Sequence, residues 1–174
     1  MSAAPVELFR RLTNGVYVVT ASHASRSGGF TAAWITQVSF EPLLLTISVN
    51  PGNATWPLIE GSRRFAINVL DRSQQEIARH FGLTSGRDID KFSGVPTQTS
   101  ASGAVVLAGA VAWLGCAVEQ QVPAGDHILL VARVVTGELL AEGASPLRYS
   151  DTGNMDGSAA LYPAHFRGTD GEAR

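Results

Sequence analysis

Apolar positions in this chain recur mainly as short alternating or continuous runs, the pattern of extended strands and not of amphipathic helices. Six runs stand out: Val16 to Ala21, Phe30 to Ser39, Leu43 to Val49, Phe65 to Leu70, Ala104 to Val122 and Ile128 to Leu140. Their Val, Ile and Thr content suits a pleated, half-buried surface. Gly- and Pro-containing loops separate them, so a barrel or sandwich is predicted. The last two runs flank Pro123-Ala-Gly-Asp-His127 and predict a long hairpin. A parallel, doubly wound sheet is disfavoured, since it needs a helix between successive strands.

Only two segments predict helix. One starts at Thr55 or Trp56, carries Pro57 in its first turn and stops near Gly61. The other opens on Ser73-Gln-Gln-Glu76, where the spacing lets each end side chain satisfy the other's backbone N–H, and ends at Gly82. Ile77 and Phe81 share a face of that helix. Leu83 to Gly103 is rich in Ser, Thr, Gly and Asp but contains Phe92 and Val95, which predicts a long ordered loop. Residues 1–152 read as one domain and 153–174 as a tail, in which Leu161, Tyr162 and Phe166 can dock while 168–174 is expected to be mobile.

At 174 residues and 45% hydrophobic, the chain has enough apolar side chains for a single sizeable core. Thirteen basic and fifteen acidic residues are intermixed, which leaves no electrostatic footprint for nucleic acid or an anionic membrane. No apolar stretch approaches the roughly 20 residues that cross a bilayer, and the first residues lack a secretory pattern, so a cytoplasmic location is expected. Cys116 is the single cysteine, which excludes an intramolecular disulfide; its apolar surroundings in sequence predict a buried small hydrophobe. The four histidines, His23, His80, His127 and His165, lack metal-ligand spacing, and no metal is expected.

Three segments carry candidate chemistry. In Gly28-Gly-Phe-Thr-Ala-Ala-Trp-Ile-Thr-Gln-Val-Ser39 the glycines predict a tight turn, and the small residues after them let backbone approach a flat ligand, with hydroxyls from Thr31, Thr36 and Ser39. Thr46 to Trp56 runs from a strand end to a helix start through Asn50, Asn53 and Thr55, a candidate phosphate cradle. It contains no Arg or Lys, so phosphate binding there is expected to rest on backbone N–H groups, Thr55 and the helix terminus. Gly125-Asp-His127 places a histidine beside a carboxylate at a hairpin turn. Taken alone, each segment is also explained as an ordinary hairpin element, a helix cap and a solvated turn histidine respectively.

Together they carry a resemblance. Phe9 with Arg10 to Thr20, Gly29 to Ser39, Pro42 to Val49, Phe65 to Leu70, Asp90-Lys-Phe92 and Gly125-Asp-His127 follow in the order and spacing of the short-chain flavin reductase family, over roughly Val6 to Tyr149. The resemblance implies a mainly β fold, an FMN-binding split β-barrel of Greek-key-like order with a few short helices, and a homodimer with flavin near the subunit interface. It implies that Thr31, Ala32, Ala33, Trp34 and Thr36 lie along the flavin ring, with Ser48, Val49 and Asn50 at the adjoining strand end. Asn53, Ala54 and Thr55 match the phosphate loop, Phe81, Lys91 and Phe92 a region near the ring or ribityl chain, and His127 the histidine near the nicotinamide. The implied cofactor is FMN, reduced by NADH or NADPH, with a monooxygenase or another redox protein as partner. No Gly-x-Gly-x-x-Gly follows a strand, so Rossmann-type nicotinamide binding is not expected. Two alternatives stay open: a flavoprotein holding FMN tightly for protein-to-protein electron transfer, and a non-enzymatic split barrel that holds another cofactor such as haem.

Overall fold

The computed structural model describes residues 5–100 and 103–167. Among the described residues nine strands and three α-helices follow in the order α1 (Pro5–Phe9), β1 (Tyr17–His23), β2 (Arg26–Ala32), β3 (Ile35–Ser39), β4 (Leu44–Val49), α2 (Trp56–Ser62), β5 (Arg64–Val69), α3 (Gln75–Leu83), β6 (Thr97–Thr99), β7 (Val105–Leu107), β8 (Ala112–Ala124) and β9 (His127–Leu139). Seven strands form one antiparallel sheet in the order β2-β1-β5-β8-β9-β4-β3, and β6 pairs with β7. The fold is mainly β, and the order is Greek-key-like, with β8 and β9 lying between β5 and β4.

Connectivity makes this sheet curl. Its two edge strands, β2 and β3, are joined by Ala33 and Trp34 alone. A flat sheet of seven strands separates its edges by roughly 29 Å, whereas the steps from Ala32 to Ile35 reach at most about 11 Å. The edges therefore meet at that corner, where Ser48 N–H donates to the Trp34 carbonyl at 3.1 Å. The Phe30 to Ser39 run, continuous in sequence, is thus two strands on opposite edges, because the chain passes from β1's partner to β4's partner within two residues.

The glycines of β2 do not turn the chain as expected. Both lie in the strand, and the reversal occurs at Ala24 and Ser25, with φ of 48° and 63°. What the glycines allow is close packing. A Cβ on Gly28 would meet Leu58 and Thr55 at 3.0 and 3.1 Å, and one on Gly29 would meet the Phe81 ring at 3.0 Å. Helices α2 and α3 thus approach β2 where side chains are missing.

Alternation along the strands assigns one face to the barrel interior. Leu45, Ile47 and Val49 of β4 join Leu130 and Ala132 of β9, Phe65 and Ile67 of β5, and Trp56, Leu58 and Ile59 of α2. A second core lies outside the barrel, where α3 and the segment around β7 cover Val16, Val18 and Leu70 through Phe81, Ala78 and Leu107. Two buried polar side chains fasten this layer. Asn68 donates to the Val18 carbonyl at 3.0 Å and accepts from Leu107 N–H at 2.8 Å; the Thr20 hydroxyl donates to the Val105 carbonyl at 2.6 Å.

Helix α3 begins at Gln75 after Gln74 at the N-cap, and no capping box forms: the Ser73 N–H that Glu76 would satisfy donates to Asp71 Oδ1 at 2.9 Å. It also runs past Gly82 to Leu83. The run Ala104 to Val122 divides into β7 and β8, and α1 and β6 lack a periodic signal strong enough to predict them. Cys116 is buried, and burial pushes its thiol up to about 12. No described helix is long and apolar enough to cross a membrane.

Candidate functional site

Outward-facing residues of β3, β4 and β9 form one side of a cavity of about 620 Å³. Their placement follows from strand period. With Leu45, Ile47 and Val49 inside the barrel, Thr46 and Ser48 must face out; Leu129, beside buried Leu130, does the same. Ile35, Thr36 and Trp34 continue this surface across the two-residue corner.

The facing side comes from chain ends brought together. Leu147, fully buried, donates from its N–H to the Leu70 carbonyl at 2.8 Å and accepts from Val16 N–H at 2.9 Å. Tyr149 N–H donates to the Asn14 carbonyl at 2.8 Å. This lays the segment after Tyr149 beside α1, with Phe9 and Tyr162 rings 6.3 Å apart. Short 3-10 turns follow at Tyr149–Thr152, Ser158–Leu161 and Ala164–Phe166. The Tyr149 hydroxyl donates to Asp156 at 2.8 Å and so can only accept from the Ser158 hydroxyl, also at 2.8 Å. Burial raises the Tyr149 phenol above its ordinary value, which keeps it a neutral donor. The expectation for residues 168–174 lies outside the described residues.

At the cavity edge stands His127, the first residue of β9 after a two-residue turn with Gly125 at φ +66°. Its Nδ1 lies 2.8 Å from Asp126 Oδ1. A carboxylate only accepts, so Nδ1–H donates and Nε2 is left for a ligand. That bond to His127 holds the Asp126 carboxyl below its usual value. The imidazole also packs on Trp34, with centroids 5.1 Å apart and planes tilted by 55°. Trp34 is 52% exposed despite its size.

The remaining site residues group elsewhere. Asn50 to Thr55 fold into a tight loop by their own side chains: Asn50 Oδ1 accepts from Gly52 N–H at 2.8 Å and Asn53 Oδ1 from Thr55 N–H at 2.9 Å. Asn53 N–H and Trp56 N–H donate to the carbonyls of Asn50 and Asn53 at 3.0 Å each. The backbone donors expected for a phosphate are thus largely engaged within the loop, and Thr55 is only 2% exposed. A cation reaches this loop from far along the chain, since Arg87 Nη2 donates to the Gly52 carbonyl at 2.9 Å. No local signal marks Arg87, which sits in the Ser- and Gly-containing loop after α3.

Phe81 is fully buried, with its ring against Phe92 at 5.5 Å and His80 at 5.2 Å. Its ring lies in the outer core and its carbonyl faces Lys91, so neither lines the cavity. Buried Lys91 donates to that carbonyl at 2.8 Å and to the Gly29 carbonyl at 3.0 Å, and burial lowers its ammonium from the ordinary lysine value. The Thr31 hydroxyl donates to the Ala78 carbonyl at 2.7 Å, while Ala32 and Val49 face the barrel core. Trp34, Thr36, Ser48 and His127 therefore share one cavity, and Asn53, Ala54 and Thr55 a neighbouring loop; Arg10, Thr46 and Tyr149 were not legible as site residues. Ser48 lies four positions before Gly52, so cavity and Arg87 are bridged by at most about 15 Å of chain.

The Flavin reductase like domain profile matches residues 9–158. Diflavin flavoprotein A 1 of a Synechocystis strain is 32% identical over 146 residues, 83% of this chain and 26% of that protein, so the chain spans about a quarter of this relative's length. The NADH:FAD oxidoreductase SgcE6 of Streptomyces globisporus C-1027 superposes with a TM-score of 0.76 at 31% identity, over 83% of this chain and 86% of that one. It is also solved with NAD and FAD fragments. The FMN-binding protein of Thermus thermophilus superposes with a TM-score of 0.71 at 28% identity, over 76% and 74% of the two chains.

Proposed function

Because the chain belongs to the flavin reductase like family, we propose that it binds FMN along the β3–β4 surface and catalyses its reduction by NADH or NADPH. The observation that carries this reading is one cavity of about 620 Å³ that brings together Trp34, Thr36, Ser48 and His127. Its size lies within the range of cofactor pockets. The residues fit a flavin: outward hydroxyls of Thr36, Thr46 and Ser48 suit the polar edge of a flat ring, and the loop that follows ends on the Arg87 guanidinium. Bound FMN supplies the two-electron redox chemistry, so the protein needs no nucleophile of its own. His127 Nε2, oriented through Asp126, positions the donor's nicotinamide, and the segment 149–163 with α1 keeps water from it.

Anaerobic absorption spectra of purified protein loaded with FMN, before and after NADH or NADPH, test this. Bleaching of the flavin bands is expected, and a loaded protein that stays oxidised with both donors would exclude reductase activity. The likeness to a diflavin flavoprotein favours a second reading, in which FMN is held for electron transfer to another protein. Flavin that survives extended dialysis separates that case from one in which reduced flavin leaves for a partner monooxygenase.

Arg87 is the cation for a single phosphate, which favours FMN over FAD. Arg87→Ala is expected to weaken FMN binding about 10- to 100-fold, the scale of one charge-assisted hydrogen bond. Calorimetric titration with FMN and with FAD checks it, and tighter FAD binding by the unaltered protein would overturn the assignment.

A homodimer completes the reading. Phe40 is 89% exposed, and Val38 and Leu43 on either side of it in the β3–β4 hairpin are also open to solvent. Sedimentation at micromolar concentration is expected to give a dimer; a monomer that binds FMN fully would remove the shared-interface model.

A further inference from the structure

The cavity holds more than a ring-binding surface. Among its described lining residues the one permanently charged cation is Arg10, just beyond α1, in the same cavity as the Trp34–His127 ring pair. Its guanidinium is weakly engaged: one nitrogen lies 3.4 Å from Glu7 Oε1 and another 3.4 Å from Asn154 Oδ1, both at the outer limit of a hydrogen bond. The side chain remains 39% exposed. Guanidinium carries five N–H donors in a planar fork suited to phosphate oxygens, so most of its capacity is unspent. Asp126 also lines the cavity, but its charge is directed to His127 at 2.8 Å.

We infer that Arg10 is the anchor for the diphosphate of the nicotinamide dinucleotide, holding the donor while its ring lies at His127. This inference rests on the proposed function above. A ring pair and a cation sharing one cavity suit a ligand with a flat ring at one end and a diphosphate further along it. Arg87 does not line this cavity and reaches the Gly52 carbonyl from the loop after α3, so the flavin phosphate and the donor diphosphate have separate partners. A diphosphate could equally come from FAD, and the test keeps the two sources apart.

The experiment is equilibrium binding of NAD⁺ to the FMN-loaded protein by calorimetry, with FMN and FAD titrated into the flavin-free protein. Arg10→Gln is expected to weaken NAD⁺ binding roughly 10- to 100-fold, to flatten its salt dependence, and to leave FMN binding within about twofold. Because Arg10 also contacts Asn154, Asn154→Ala serves as the control for a structural role, and its NAD⁺ binding should stay within about twofold of the unaltered protein. Glu7→Gln removes the competing negative charge beside Arg10 and should hold NAD⁺ at least as tightly as before. Unchanged NAD⁺ binding in Arg10→Gln overturns the inference alone, as does an equal loss in Asn154→Ala. A loss confined to FAD would assign Arg10 to the flavin and overturn it too. If the unaltered, FMN-loaded protein binds neither NAD⁺ nor NADP⁺, the proposed reductase function fails first, and the inference falls with it.

Discussion

Replacing His127 with alanine is expected to slow reduction of bound FMN by NADH or NADPH about 5- to 150-fold, while FMN affinity stays nearly unchanged. The range follows from losing one positioning hydrogen bond of about 1 to 3 kcal/mol. The imidazole sits between Asp126, 2.8 Å from Nδ1, and the Trp34 ring, so its second nitrogen has a defined direction. Neither its hydrogen bond to Asp126 nor its packing on Trp34 involves the phosphate loop or Arg87, which is why flavin binding should persist. Asp126→Asn should give a smaller loss, because an amide oxygen still accepts from Nδ1–H. Stopped-flow bleaching against donor concentration measures both variants, and reduction by dithionite, which needs no nicotinamide site, should be the same in all three proteins. An unchanged rate would make His127 a turn residue, and lost FMN binding would move it into the flavin pocket.

Phe81→Ala should cost the fold about 3 to 5 kcal/mol, the usual range for emptying a buried phenylalanine site. That is a large share of the stability of a typical domain. The ring is fully buried in the outer core, against Phe92 and over Gly29, where even one added Cβ would meet it at 3.0 Å. Removing it leaves a cavity between α3 and β2 that the surrounding sheet cannot close. Urea denaturation measures the loss, and Phe81→Leu should recover much of it. Protein that remains folded should still bind FMN, since the group Phe81 gives to Lys91 is its backbone carbonyl. The opposite pattern, intact stability with flavin binding abolished, would place the ring against the cofactor.

Phe81 shows how far a sequence reaches. Its position after a capping-box spacing and before Lys91-Phe92 aligned it with a flavin-binding region, but sequence similarity assigns a residue to a place, not a direction to its side chain. On α3 the burying face turns Phe81 to the core, while the neighbouring backbone is what faces Lys91. The two glycines behave similarly. Their lack of a side chain was visible, but whether it served a turn or a close helix approach depended on α2 and α3, which pack there from later in the chain.

The mainly β character, the β8–β9 hairpin with Gly125-Asp-His127 at its tip, the burial of Cys116 and the family were legible along the chain, because these depend on residue period, local turn chemistry and ordered motifs. That Phe30 to Ser39 breaks at Ala33 and Trp34 follows from the folded sheet, since its closure is set by the pairing of edges, not by local preference. The tertiary structure alone placed Arg87, 35 positions downstream, on the Gly52 carbonyl. It alone brought Arg10 and Tyr149 opposite β4, through Leu147 held between Val16 and Leu70. Contacts between residues so far apart leave no periodic trace, because their energy depends on where folded elements meet and not on spacing along the chain.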